Sequence, residues 1–267
     1  MDLLVERRGH VLWVVMNRPE RRNAISPEMM VRLGEAWTLL RDDPDLHCAV
    51  LTGAGDEAFS VGGDLGLLIP LFTGARQPES EWDHRLMGDL GLTMTSLLKG
   101  FELYKPIVGA VNGIATAGGC ELLLATDIRI AARGARLGLA EVKRGLVPGG
   151  GSMVRLARQI PWARAMEILL LGDLIDADEA CRLGLINEVV EPGGLAERAA
   201  EIATKLAQNG PFALRKIKEC VLRTSGMELD AAHELENTIS GEVMASEDAR
   251  EGPRAFMEKR PPRFRGR

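Results

Sequence analysis

The stretch KPIVGAVNGIATAGGCELLLATDIRIAA, Lys105–Ala132, decides how this chain is to be read. It opens on an apolar, β-branched run, Pro106–Gly113, with the composition of a strand, and closes on a second such run, Asp127–Ala132. Between them the small residues Gly113, Ala115, Ala117, Gly118 and Gly119 make a bend, and Leu122–Ala125 continues as an apolar helix starting near Gly118. Strand, glycine bend, helix and strand form the unit of an α/β core. Glu121 is the odd residue in it, because carboxylates are rarely fully buried unless paired. A bend without side-chain bulk lets a ligand approach the backbone closely. The first amides of a helix lack intrahelical partners, and with the positive end of the helix dipole they suit an oxygen that is gaining negative charge. Glu121 therefore either complements the dipole of its own helix or works beside such an oxygen.

Working outward, His10–Arg18 and Cys48–Gly55 read as further strands, and Arg136–Val142 pairs with Asp127–Ala132 around the turn RGA. Ser26 followed by Pro27 signals a helix start, and that helix runs to about Leu40. Helical patterns follow over Gly151–Gln159, Ala163–Leu171, Asp176–Leu183 and Leu195–Gln208, and the chain from Pro211 to about Arg260 reads as almost wholly helical. The expected organisation is an α/β core over residues 1–195, its strands buried on both faces, and a helical region over 196–267 that packs on the core or on a neighbouring subunit. Leu65–Gly100 reads as a mobile segment, about Gly74–Trp82, followed by a helix.

Composition narrows the function classes. The 267 residues are 46% hydrophobic and 27% charged with a net charge of −5, which suits an ordinary soluble protein and argues against nonspecific nucleic-acid binding. Aromatic residues make up 4%, too few for a base-stacking platform. No stretch approaches the ~20 apolar residues of a membrane span. The N-terminal MDLLVERRGH lacks the apolar centre of a signal peptide, and four widely spaced cysteines read as free thiols, so a cytoplasmic location is expected. No P-loop, dinucleotide-binding glycine motif, HExxH or GxSxG is present, and the four histidines lack metal-ligand spacing. VPGGGS, Val147–Ser152, has the look of a phosphate cradle, but without a lysine at the usual place it reads as a tight backbone turn.

Two other loops share the character of the first. In AFSVGGDL, Ala58–Leu65, Gly62 and Gly63 precede Asp64, which is placed to cap the helix that follows, while Gly63 is free to offer its amide outward. In LGLAEVKRGLVPGGG, Glu141 ends an apolar strand 20 residues after Glu121.

Taken in order, NRPERRNAIS (Asn17–Ser26), AFSVGGDL, the Lys105–Ala132 block, AEVKRGLVPGGGSMVRLAR (Ala140–Arg158), CRLGLINEVV (Cys181–Val190) and FMEKRPPRF (Phe256–Phe264) resemble the enoyl-CoA hydratase/isomerase, or crotonase, family over nearly the whole chain. The resemblance implies a spiral of ββα turns followed by a helical trimerisation region, assembling as a homotrimer or a dimer of trimers. It implies that the amides of Gly63 and Gly118 hold the thioester oxygen of an acyl-CoA, and that Glu121 and Glu141 flank the reacting double bond. Members that only shift a double bond generally lack the first glutamate, so the pair favours hydration of a trans-2-enoyl-CoA, as in fatty-acid β-oxidation. Arg22 and Ala24, with Phe256 and Lys259 from a neighbour's tail, match contacts to the CoA nucleotide; Asp64, Leu65, Gly66 and Gly149 are expected along the substrate. Coenzyme A belongs to the substrate, and no separate cofactor, metal, nucleic acid or membrane is expected. Val61 stands where the family usually has alanine, which bears on the acyl pocket but leaves the amide available. The Leu65–Gly100 segment is expected to wall the acyl chain, with Trp82, Leu86 and Leu90 either facing it or packing in the core. An isomerase, a dehydratase of a polar acyl-CoA, a thioester hydrolase on the same scaffold and a noncatalytic RNA- or protein-binding member are the alternatives.

Overall fold

A computed structural model describes residues 1–267. The strands are β1 (Leu3–Arg8), β2 (Val11–Met16), β3 (Cys48–Gly53), β4 (Ala58–Ser60), β5 (Ile107–Val111), β6 (Ile114–Thr116), β7 (Ile128–Ala132), β8 (Arg136–Gly138), β9 (Ile175–Asp176) and β10 (Glu188–Val190). They form a six-stranded sheet in the order β1-β2-β3-β5-β7-β10 and a four-stranded sheet in the order β4-β6-β8-β9. Only β1 against β2 and β9 against β8 run antiparallel. Each turn of chain sends one strand to each sheet: β3 then β4, β5 then β6, β7 then β8. With the helices between successive turns this is the ββα spiral that the resemblance implies.

The helices are α1 (Pro27–Asp42), α2 (Leu68–Phe72), α3 (Glu81–Gly88), α4 (Leu90–Ser96), α5 (Gly118–Leu123), α6 (Ser152–Gln159), α7 (Trp162–Leu171), α8 (Ala177–Arg182), α9 (Leu195–Gln208), α10 (Pro211–Thr224), α11 (Leu229–Met244) and α12 (Glu247–Met257). Ser26 caps α1 as its sequence signals, its hydroxyl accepting from the Met29 amide at 3.1 Å with Pro27 in the first turn.

The two-residue period of the strands divides the interior. On β2 and β3, Leu12, Val14, Ala49 and Leu51 join the main core, while Val11, Trp13, Cys48 and Val50 face the other way, under α9 with Ala199 and Ala203. The large sheet is therefore buried on both faces, and α9 belongs to the packing of the core although it begins at the expected domain boundary.

Two sequence expectations change. β7 and β8 do not pair with each other; β7 pairs with β5 and β10, and β8 with β6 and β9. The turn between them carries the chain from one sheet to the other. Glu141 does not end a strand, because β8 stops at Gly138 and Glu141–Arg144 form a 3₁₀ turn. The tail is almost wholly helical as read, as three helices separated at Ser225–Glu228 and Ala245–Ser246. Within the stretch read as mobile, Arg76 makes two hydrogen bonds to Asp83, at 2.8 and 2.7 Å, and a third to the Leu67 carbonyl at 2.8 Å. No helix is long and apolar enough to cross a membrane.

Candidate active site

One cavity of about 1130 Å³ opens between the glycine loops of the spiral. Gly63, Gly118, Glu121 and Glu141 all line it, as do Arg22, Ala24, Asp64, Leu65, Gly66 and Gly149. Phe256 and Lys259 do not: Phe256 is 82% exposed, and both stand at the end of α12, away from the cavity of their own chain.

The two glycine loops touch. A Cβ on Gly118 would come within 3.5 Å of the Gly63 nitrogen, and one on Gly62, where φ is +85°, would come within 2.6 Å of the Gly118 nitrogen. A side chain at Gly62 is excluded twice, by its left-handed backbone and by this approach. Ile25 fastens the first loop, donating its amide to the Gly62 carbonyl at 2.8 Å and accepting from the Asp64 amide at 2.9 Å. The Gly63 amide between them has no acceptor within the protein. Ala117, at φ 49° and ψ −133°, makes the sharp entry into α5. Such a conformation in a residue with a Cβ costs of order 1–3 kcal/mol, and here it leaves the Gly118 amide at the first helical position without an acceptor. Two unspent amides thus converge on one cavity.

Glu121 answers the question that the sequence raised. It is 4% exposed, and its Oε1 accepts from the Gly150 amide at 2.7 Å, the Ser152 hydroxyl at 2.7 Å and the Ser152 amide at 3.3 Å. The VPGGGS turn is therefore an anion cradle after all, and the anion is a carboxylate of the same chain. It stands at the start of α6, with Gly151 at φ +116° turning the amides inward. Oε2 of Glu121 accepts from no protein donor. Arg155 holds the cradle to the end of α4 through the carbonyls of Gly150 at 3.1 Å and Leu98 at 2.5 Å.

Glu141 differs in kind. Burial raises its carboxyl to about 7, and the nearby Glu121 charge adds to the rise. Its Oε2 is buried without a hydrogen-bond partner. One cavity thus holds a carboxyl group with three donors on a single oxygen and a second whose ionisation burial opposes.

Asp64 is occupied by structure. Arg18 binds its Oδ2 at 2.8 Å, and the amides of Gly66 and Leu67 bind Oδ1 at 2.8 and 3.0 Å. Burial works against its charge, but the Arg18 guanidinium and these amides outweigh it and lower its carboxyl. The capping role offered in sequence thus falls on the turn leading into α2. Arg22, at φ +50°, lies at the cavity mouth and pairs with Glu57 at 3.3 Å. Gly149 spends its carbonyl on Lys99 Nζ at 2.8 Å. Trp82, Leu86 and Leu90 leave the cavity to others: Trp82 packs between Arg32 and Arg85, Leu86 is fully buried and Leu90 faces solvent. Leu68, Ile69, Phe72, Met94 and Leu97 form the apolar wall.

Sequence reasoning missed Ser152 and the Gly150 amide. Their signal was the glycine turn before a helix, which was legible; the identity of the anion was not, because Glu121 lies 29 and 31 residues away.

The sequence profile of the enoyl-CoA hydratase/isomerase family matches residues 6–267. The chain is 45% identical over 267 residues to enoyl-CoA hydratase EchA19 of Mycobacterium tuberculosis, covering 100% of this chain and 97% of that one. It is 38% identical to the (E)-benzylidenesuccinyl-CoA hydratase of Thauera aromatica, covering 100% of both. The crystal structure of an enoyl-CoA hydratase from Bacillus anthracis superposes with a TM-score of 0.89 at 34% identity, again over 100% of both chains.

Proposed function

Because the chain belongs to the enoyl-CoA hydratase/isomerase family, we propose that it adds water reversibly across the α,β double bond of a trans-2-enoyl-CoA thioester. The observation that carries this reading is the inequality of the two carboxyl groups beside two unspent amides. Hydration needs a base for water, an acid for the α-carbon and donors for the oxygen that takes charge in between.

The residues divide that work. The thioester oxygen sits against the Gly63 and Gly118 amides. Glu121, with Oε1 fixed by the cradle, takes a proton from water through Oε2, and the water oxygen bonds to the β-carbon. The π electrons move toward the thioester carbonyl, and its oxygen becomes enolate-like. Fixed amides stabilise that charge without reorganising, and each such donor is worth about 3–4 kcal/mol of barrier in comparable sites. The electrons then return, and Glu141 delivers its proton to the α-carbon. The product is a 3-hydroxyacyl-CoA, and the proton left on Glu121 replaces the one lost by Glu141 through exchange with solvent. Coenzyme A enters and leaves as part of the substrate, and no further cofactor takes part.

Arg22 and Ala24, at the cavity mouth, are proposed to contact the CoA nucleotide; Leu65, Gly66 and Gly149 line its path inward. Exposed Ile217, Val221, Leu222 and Met244 on α10 and α11 support assembly as a homotrimer or a dimer of trimers. In such an assembly Phe256 and Lys259 would serve a neighbour's site. The test is a hydration assay on enoyl-CoA esters, read by loss of the conjugated thioester absorbance and by a product heavier by one water. Recovery of a shifted double bond or of free CoA would replace the reading with isomerisation or hydrolysis.

A further inference from the structure

The loop that presents the Gly63 amide is held by a turn of chain 40 residues earlier in sequence. Of the four amides from Val61 to Asp64, three are bonded. Val61 donates to the Arg22 carbonyl at 3.2 Å, Asp64 to the Ile25 carbonyl at 2.9 Å and Gly62 to the Ser60 hydroxyl at 3.2 Å. That hydroxyl in turn donates to the Asn23 carbonyl at 2.8 Å. Ile25 closes the set by donating to the Gly62 carbonyl at 2.8 Å. The direction of the remaining amide, that of Gly63, is therefore set by residues 22–25 and not by a bond of its own.

This turn is itself strained. Arg22 and Asn23 are consecutive left-handed residues, with φ at +50° and +54°. A residue with a Cβ keeps such a conformation only where its surroundings over-determine it, and asparagine tolerates the region better than most. Here the fully buried Asn23 side chain does the fixing. Its Oδ1 accepts from the Arg18 amide at 2.9 Å, and its Nδ2 donates to the carbonyls of Ala54 at 3.0 Å and Ala58 at 2.7 Å. Ala54 follows β3 and Ala58 opens β4, so one side chain ties the turn to both ends of the crossover that leads into the oxyanion loop. Gly53 leaves the room for it, since a Cβ there would stand 2.6 Å from Asn23 Nδ2. Arg22 and Ala24 on either side line the cavity, and Asn23 does not.

We propose that Asn23 is a positioning residue for the oxyanion hole. It touches neither substrate nor reacting atom, and it acts by holding the 22–25 turn and, through Ser60, the Gly62 amide, so that the Gly63 amide points at the thioester oxygen. A donor held in advance stabilises charge that develops on that oxygen more than it stabilises the uncharged ester. Loss of the Asn23 side chain therefore acts on turnover more than on the grip of the ester. The inference rests on the acyl-CoA reading above and adds a residue outside the cavity to its machinery.

Two variants test it. Asn23→Gly keeps the left-handed turn accessible and removes the side-chain hydrogen bonds, and Ser60→Ala removes the hydroxyl between Asn23 and Gly62. Two quantities are measured: steady-state hydration of trans-2-enoyl-CoA esters, and the infrared carbonyl band of bound butyryl-CoA labelled with carbon-13 at the thioester, a ligand that cannot be hydrated. In the wild type the two amides lower this band relative to the free ester. Asn23→Gly is expected to lower kcat about 10- to 100-fold, part of what loss of a whole oxyanion donor costs, with KM within about threefold of wild type, and to return the bound band toward that of the free ester. Ser60→Ala is expected to act in the same direction to a smaller extent and to add little in the double variant, because both groups work through one network. A raised KM with kcat unchanged, or a bound band that stays at its wild-type position, overturns the assignment; if Asn23→Gly does not fold, Ser60→Ala decides by the same two measurements. A wild-type band no lower than that of the free ester refutes the acyl-CoA reading and this inference with it. A lowered band that Asn23→Gly returns, with no hydration of any ester, supports the inference and refutes the hydratase reading alone.

Discussion

Ser152 Oγ donates to Glu121 Oε1 at 2.7 Å, across 31 residues of sequence. The contact joins the first turn of α6 to the first turn of α5 and leaves one carboxylate oxygen fixed and the other free. Ser152→Ala is expected to lower kcat about tenfold, the effect of losing roughly 1.4 kcal/mol of hydrogen bonding to a charged group. KM should hold, since the serine does not reach substrate, and Ser152→Thr should restore most of the rate. A change confined to KM would remove Ser152 from the positioning of Glu121.

Exchange of either carboxyl for its amide tests the division of labour. Glu121→Gln and Glu141→Gln are each expected to lower kcat by about 10²–10⁴, with affinity for a saturated acyl-CoA nearly unchanged. Steady-state rates beside calorimetry decide it, and full activity in either variant excludes that residue.

The raised carboxyl of Glu141 predicts the shape of the pH profile. A group at about 7 is protonated below that value and ionised above it, and the acid that delivers a proton must be protonated. kcat/KM should therefore fall as pH rises through 7, approaching a tenfold loss per pH unit. An alkaline limb that is absent, or that survives in Glu141→Gln, assigns the proton to another group.

Gly62→Ala strains the oxyanion loop. A left-handed residue with a Cβ costs about 1–2 kcal/mol, and the new methyl would sit 2.6 Å from the Gly118 nitrogen. Turnover is expected to fall by at least tenfold and the urea midpoint to drop. Wild-type rates would show that the Gly118 amide does not depend on this approach.

The wall of the cavity depends on a buried ion pair. Asp83 is 2% exposed, and the Arg76 guanidinium holds its carboxyl well below the usual carboxylate range. Asp83→Asn leaves that guanidinium poorly paired, and a loss of about 1–3 kcal/mol is expected, read as a lower urea midpoint. The sign with pH follows from the lowered carboxyl. The wild type keeps this stabilisation above the ordinary Asp value, 3.8, and loses it as pH falls below that, whereas Asp83→Asn shows no such dependence.

Local pattern carried much of the fold. The apolar alternation of Val11–Met16, the β-branched Ile107–Val111 and the Ser26-Pro27 start of α1 each declare their element within a few residues. The three-residue β4 and β6 are too short to show a period, and so of the second sheet only β8 was read as a strand. The short turn RGA made β7 and β8 look like partners, although it carries the chain from one sheet to the other.

What the sequence determined by itself was the inventory: two glycine loops able to expose amides, two glutamates on apolar segments and a tight glycine turn before a helix. Those properties belong to the backbone and side chain of each residue and to its immediate neighbours. Only the tertiary structure decided which groups meet. It set the Gly63 and Gly118 amides against one cavity, placed the 150–152 turn on Glu121 and buried the second oxygen of Glu141 without a partner. The physical reason is that desolvation and hydrogen bonding across 30 residues arise from packing, so two chemically identical side chains acquire different surroundings only once the spiral has closed around them.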